Sequence, residues 1–184
     1  MMRGLLLRLW RDRRGVSALE FALVAPFLVL LAVGTIEFGR LILLTQKLQN
    51  SSFMFADLAA RGKSLSEGQL DDIFLAIGSL MKPFDLADGG AAVITSVTAG
   101  KAGTAGVNWQ RAGAGTLPVT SLIGHAGGSA TLPVDLKLAE GETLIVTEVF
   151  YDFEPIFGMT AAASVLSRVT YYKPRLGSLA TLLP

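Results

Sequence analysis

The sequence predicts an α+β protein: one long N-terminal helix, apolar over its first half, laid across a small antiparallel β-sheet. Three observations predict it. No charged residue stands between Phe21 and Ile36. Apolar residues then recur at helical spacing to about Ala59, and again from Leu70 to Leu80. Beyond Ala92 the pattern changes to short alternating runs, set between stretches rich in Gly, Thr and Pro.

The uncharged run is the first element. Its 16 residues make a helix of roughly 24 Å, which is short against a bilayer core of about 30 Å. Starting at Val16 gives 21 residues and about 31 Å, which fits, but it places Glu20 inside the membrane. Beyond Glu37 and Arg40, Leu41-Ile42-Leu43-Leu44 prolongs the apolar surface. Arg3, Arg8, Arg11, Arg13 and Arg14 all precede the span, against a single Asp12. The positive-inside rule then expects a single pass, with the N-terminus in the cytoplasm and everything after about Arg40 outside it.

The helix is expected to continue past the membrane. Leu44, Leu48, Phe55, Leu58 and Ala59 form its apolar side, and Gly62 after Arg61 is its expected stop. A second helix starts at Ser64 or Ser66, with Glu67 in its first turn. Leu70, Ile73, Phe74, Ile77 and Leu80 form its stripe, and Pro83 ends it. Asp85 to Gly90 reads as a turn. Strands are expected at Ala92–Ala99 and Gly106–Arg111, joined by Gly100-Lys101-Ala102-Gly103. Thr143–Phe153 alternates along its whole length, and Val165–Tyr172 is the fourth strand, closed by Pro174.

Composition narrows the function. The 184 residues suit one compact domain plus one membrane element. The net charge of +1 is split between a leader at +4 and a remainder at −3. That remainder has no basic stripe, which argues against nucleic acid as a partner. The absence of Cys removes disulfide and thiol chemistry and fits an extracytoplasmic compartment. No nucleophile elbow, P-loop or zinc-helix motif is present, so neither an enzyme nor a cofactor is expected. His125, the only histidine, sits in a Gly-rich loop and reads as solvated. Asp85, Asp88 and Gly89 lack the alternating oxygen ligands of a calcium loop and read as a turn. Trp109 and the Tyr171-Tyr172 pair read as packing.

Glu20 is the informative residue. A carboxylate inside a membrane helix costs on the order of 3 kcal/mol. A bland reading has it snorkel to the headgroups. Its neighbourhood, Arg13-Arg14-Gly15-Val16-Ser17-Ala18-Leu19-Glu20-Phe21, favours another reading. A basic leader ends in Gly15, and Glu20 falls five residues later at the head of an apolar helix. This resembles the processing signal of the type IV pilin superfamily. The resemblance implies that a prepilin peptidase cuts between Gly15 and Val16. The new ammonium at Val16 would then lie one turn from Glu20. Across subunits, such a charge pair at about 4 Å and an effective dielectric of about 20 is worth roughly 4 kcal/mol before desolvation.

Glu20-Phe21-Ala22-Leu23-Val24-Ala25-Pro26, followed by Ile36-Glu37-Phe38-Gly39-Arg40, resembles the TadE-like family of tight-adherence pilus proteins. The strand Glu148-Val149-Phe150-Tyr151, with Pro155 after it, is similar to a second motif of that family. Ala59-Ala60-Arg61 matches a third in part. The resemblance implies a pilin-like fold with a basic leader at 1–15, a transmembrane helix at 16–44 and an extracytoplasmic domain at 45–184. Glu20, Phe21 and Pro26 would serve processing and assembly, and Glu37, Phe38, Gly39 and Arg40 would mark the membrane boundary. The implied function is that of a minor pilin or pseudopilin of a Tad-type (type IVc) pilus. The implied partners are the prepilin peptidase, other Tad pilins and pseudopilins, the inner-membrane assembly platform and the lipid bilayer.

A second function class stays open: a membrane-tethered or secreted binding module that never assembles. Phe21–Leu31 is an h-region of ordinary length, and Ala32-Val33-Gly34 is a small-x-small site, so a secreted form would begin at Thr35.

Overall fold

The computed structural model describes residues 15–158 and 164–184; the leader arginines lie outside the described residues. Helix α1 runs unbroken over Val16–Ala60 and divides by exposure. From Val16 to Ile36 nearly every side chain is exposed, Gly34 being buried. From Glu37 onward one face is buried, through Leu44, Leu48, Phe55 and Ala59. Ser51, Ser52, Ala56 and Ala60 share that face, and their small size lets the backbone close on the sheet. Ser52 Oγ donates to Thr170 Oγ1 at 2.9 Å, and Thr147 Oγ1 donates to the Ser52 carbonyl at 2.9 Å. The Ser52 hydroxyl is thus satisfied, and the helix is bonded to β4 and β5 at this point.

The helix stops at Ala60, with Arg61 as its cap. Gly62 follows because the chain doubles back: a Cβ there would lie 2.7 Å from the Ser64 carbonyl oxygen. Strand β1 is only Leu65–Ser66. Ser66, not Ser64, then caps α2 (Glu67–Leu80) through a capping box with Gln69. Leu70, Phe74 and Ile77 are buried, while Ile73 and Leu80 pack half-buried on the same core. The turn expected at Asp85 is one helical turn, α3 (Leu86–Gly89), where Asp85 Oδ1 accepts the Ala87 N–H at 3.0 Å.

The sheet contains β2 (Gly90–Ala99), β3 (Ala105–Gly113), β4 (Thr143–Phe153) and β5 (Ser164–Tyr172). Its order is β3-β2-β4-β5, antiparallel throughout. A short β6 (Leu182–Leu183) pairs in parallel with β1 and ties the last residues to the start of α2. The alternation in β4 sorts its side chains to two faces. Ile145, Val149 and Phe153 join Leu44, Leu48, Phe55 and Phe74 in the main core. Leu144 and Val146 face the other way, against Val97, Val107 and Ile123. Trp109 belongs to the main core, and its indole N–H donates to the Leu179 carbonyl at 2.9 Å. Tyr171 packs on the second core, and the Tyr172 hydroxyl donates to Asp57 at 3.2 Å. The Arg61 hydrogen bond, with help from Tyr172 and Arg175, holds the Asp57 carboxyl below its ordinary range.

The chain between β3 and β4 covers the second face. Leu132, Leu136 and Leu138 pack on it from an irregular segment whose composition predicts only a loop. The segment is pinned by Glu148, which is fully buried. Its carboxylate accepts the Ser121 hydroxyl and, at 2.8 Å, the Leu122 N–H. Burial pushes the carboxyl above its ordinary 4.5, against the two hydrogen bonds. Between the ordinary value and the folded one, the folded state holds a proton that the unfolded chain has released. Stability contributed by this group is complete below pH 4.5 and falls as pH rises through the folded value. Glu148→Gln is expected to flatten that slope in denaturant unfolding of the detergent-solubilised chain. Glu148→Ala should lose about 2 kcal/mol, because the Leu122 N–H is left without its acceptor. An unchanged slope in the Gln variant would contradict this account of the segment.

Candidate functional site

The candidate site is the exposed half of α1 together with its junction to the sheet. Twenty-one residues from Val16 to Ile36 extend about 31 Å. They present Leu19, Phe21, Leu23, Phe27 and Leu31 at two-thirds exposure or more. A contiguous exposed apolar surface of this size marks a protein–protein or membrane contact. The segment is long and apolar enough to cross a membrane.

Four sequence-predicted residues lie along this half-helix, and a fifth stands just before it. Gly15 immediately precedes the helix, and its carbonyl accepts the Leu19 N–H at 3.1 Å. Its φ is −90°, and a Cβ there would touch nothing within 4 Å among the described residues. The described part of the fold therefore does not require glycine at this position. Val16 begins the helix, and Glu20 and Phe21 are exposed one turn on. Pro26 is inside the helix, where its ring removes the N–H that would bond the Ala22 carbonyl.

The second group lies about 25 Å along the helix from Glu20. Glu37 is fully buried. Its Oε1 accepts the Ile156 N–H and its Oε2 the Phe157 N–H, each at 3.0 Å. Both carboxylate oxygens are thus occupied by the chain just beyond β4. Arg40 lies one turn on, with its guanidinium over the Phe153 ring at 5.6 Å. Its Nη1 is buried without a hydrogen-bond partner among the described residues. Arg40 also lines a groove of about 510 Å³ with Asp85, Asp88, Tyr151 and Glu154. Burial is the first cause that pushes the Tyr151 hydroxyl above its ordinary value. Phe38 and Gly39 are on the outer side of the helix, exposed, and a Cβ on Gly39 would meet nothing. The predicted site residues are therefore not one constellation. Glu37 and Arg40 dock on the sheet, and Glu20 stands alone on the bare helix.

Two stretches singled out separately in the sequence come together here. Ile36–Arg40 lies against the end of the strand that contains Glu148-Val149-Phe150-Tyr151 and against the residues after Pro155. The partners of Glu37 are backbone groups, so no side-chain pattern in the sequence could have named them. The only available signal was the apolar pair Ile156-Phe157 directly after Pro155.

No curated protein and no solved structure matches this chain. The family model described as TadE-like protein matches residues 15–56. That match begins at Gly15, takes in Glu20, Pro26, Glu37 and Arg40, and ends within the part of α1 that docks on the sheet, so the similarity to the TadE-like model falls on α1.

Proposed function

We propose that the protein is a minor pilin or pseudopilin of a Tad-type pilus, acting in pilus biogenesis by assembling with other subunits. The observation that carries this reading is the bare, apolar 21-residue half of α1, which bears Glu20 and lies within the TadE-like segment. TadE-like proteins are structural components of Tad pili, so association with that pilus is the coarser part of the reading. The finer part is chemical. Val16–Ile36 spans the cytoplasmic membrane of a bacterium, the leader stays inside and the sheet domain lies outside. The prepilin peptidase cuts after Gly15, where a side chain would meet no described part of the fold but would obstruct an enzyme closing on the backbone. In the assembled state, Glu20 neutralises the Val16 ammonium of a neighbouring subunit, and Pro26 is the place where the helix can loosen as subunits pack. The prepilin peptidase, the other Tad pilins and the assembly platform are then its partners.

Intact-mass measurement on membrane-extracted protein tests this. The expected mature chain has 169 residues, the 184 less the 15 of the leader. A bulky charged replacement at Gly15 should leave full-length precursor in the membrane. Protease added to spheroplasts should degrade the sheet domain. A chain starting at Met1 or Thr35, or a protected domain, would contradict the reading. A start at Thr35 would favour the secreted binding module.

A further inference from the structure

The direction of β4 relative to α1 decides which end of the domain faces the bare helix. Going back along α1 toward its N-terminus, Ser52 meets Thr147, Arg40 meets Phe153, and Glu37 meets Ile156 and Phe157. Strand β4 therefore runs antiparallel to α1, toward the exposed half. Residues 154–158, which leave the end of β4, are therefore the tip of the described domain nearest Val16–Ile36. At that tip Ile156 is 60% exposed and Phe157 is 50% exposed. Their backbone is held to Glu37 by two hydrogen bonds, so their height is set at one residue past Ile36. Ile36 and Phe38 flank Glu37 on the helix and are also more than half exposed. Together, Ile36, Phe38, Ile156 and Phe157 form an apolar collar at the last turn of the bare helix. Exposed Glu154 stands just before the pair and lines the groove with Arg40, which puts charge on the domain side of the collar.

We infer that this tip, at residues 154–158, is a second membrane contact: Ile156 and Phe157 insert into the outer-leaflet interface of the bilayer beside the span. The occupant is lipid because the collar is continuous with the apolar surface of Val16–Ile36. That stretch already matches the hydrocarbon thickness of about 30 Å, so the collar begins where the hydrocarbon ends. Apolar side chains presented at this depth bury into the boundary between headgroups and acyl chains. The contact gives the buried Glu37 a purpose. A carboxylate clasping two backbone N–H groups holds the tip at a fixed distance from the helix axis. The domain then leans on the membrane at two points and cannot swing freely about α1. This inference rests on the reading of Val16–Ile36 as a span.

The chain has no Cys, so single-cysteine labelling is clean. An environment-sensitive fluorophore would be placed at Ile156→Cys, Phe157→Cys, Leu28→Cys in mid-span, and Val134→Cys, which is 97% exposed on the domain. Each full-length chain would be reconstituted in phosphatidylethanolamine–phosphatidylglycerol vesicles carrying nitroxide lipids, with the quencher at headgroup or at mid-bilayer depth. Labels at 156 and 157 are expected to be quenched several-fold more than at 134 by the headgroup-level quencher, while 28 responds to the deep one. If 28 is in lipid but 156 and 157 behave like 134, the tip contact is wrong and the span stands. If 28 is also aqueous, the span reading fails and takes the tip contact with it. Shielding of 156 and 157 that disappears on diluting protein in lipid would assign the tip to contact between copies and overturn the inference.

Discussion

Glu20→Ala is expected to abolish incorporation into a pilus assembly while leaving membrane insertion and leader removal intact. In the isolated chain, Glu20 is exposed on an apolar helix and makes no hydrogen bond within the described residues. Removing it takes away a carboxylate that costs on the order of 3 kcal/mol in lipid, so insertion should be equal or slightly better. On the proposed reading, cleavage depends on Gly15 and not on Glu20, so it should persist. The loss falls on assembly, where the neighbouring Val16 ammonium is left unpaired in a dry interface at a cost of several kcal/mol. Glu20→Gln keeps the shape without the charge and should fail almost as badly. Co-purification with the cognate major pilin, together with pili counted per cell, reads the effect. Normal values for Glu20→Ala, in a strain where deleting the protein abolishes pili, would leave Glu20 a headgroup-level carboxylate.

Glu37→Ala should have the largest effect on the folded domain itself. The side chain is fully buried, and both its oxygens accept backbone N–H groups at 3.0 Å. Hydrogen bonds to a charged acceptor contribute about 1.5–3 kcal/mol each. Ile156 and Phe157 are themselves exposed, so water recovers part of that for the released N–H groups. A net local loss of about 3 kcal/mol is expected, which corresponds to roughly a hundredfold faster amide exchange at 156 and 157. Glu37→Gln retains one acceptor oxygen and should fall between. The exchange of Val149 and Ile145, in the middle of the sheet, should change far less, because α1 still packs on Phe55 and Leu48. Equal acceleration at all four amides would mean that Glu37 supports the whole core and not the tip.

Most of the fold was legible because its elements carry strong periodicity. The helix from Val16 to Ala60, the capped helix at Ser66 and strand β4 each follow from residue spacing, with β4 placed to its ends at Thr143 and Phe153. What was not legible depends on tertiary contact. The pairing of Leu65–Ser66 with Leu182–Leu183 joins two dipeptides that have no pattern of their own. The cover over the second sheet face comes from a segment of scattered leucines, and only Glu148 shows how it is held. At the candidate site, Glu20 was readable because a charge in an apolar run is conspicuous. Glu37 was readable as a motif residue at the edge of the span. Its actual partners are two backbone amides 119 and 120 residues away, which leave no trace in side-chain chemistry.

On the proposed reading, what the bare half of α1 touches decides whether this protein assembles or merely anchors. A photo-reactive amino acid at Leu23, 73% exposed in the middle of the bare half-helix, would be activated in living cells that express the cognate pilus genes. The same residue at Val134, on the far surface of the domain, is the comparison. The adduct is probed directly for the major pilin. A Leu23 adduct with the major pilin, absent at Val134 and lost in Glu20→Ala, is the predicted result. A Leu23 label that reacts only with lipid, in cells that are making pili, would contradict the pilin reading and leave a tethered domain.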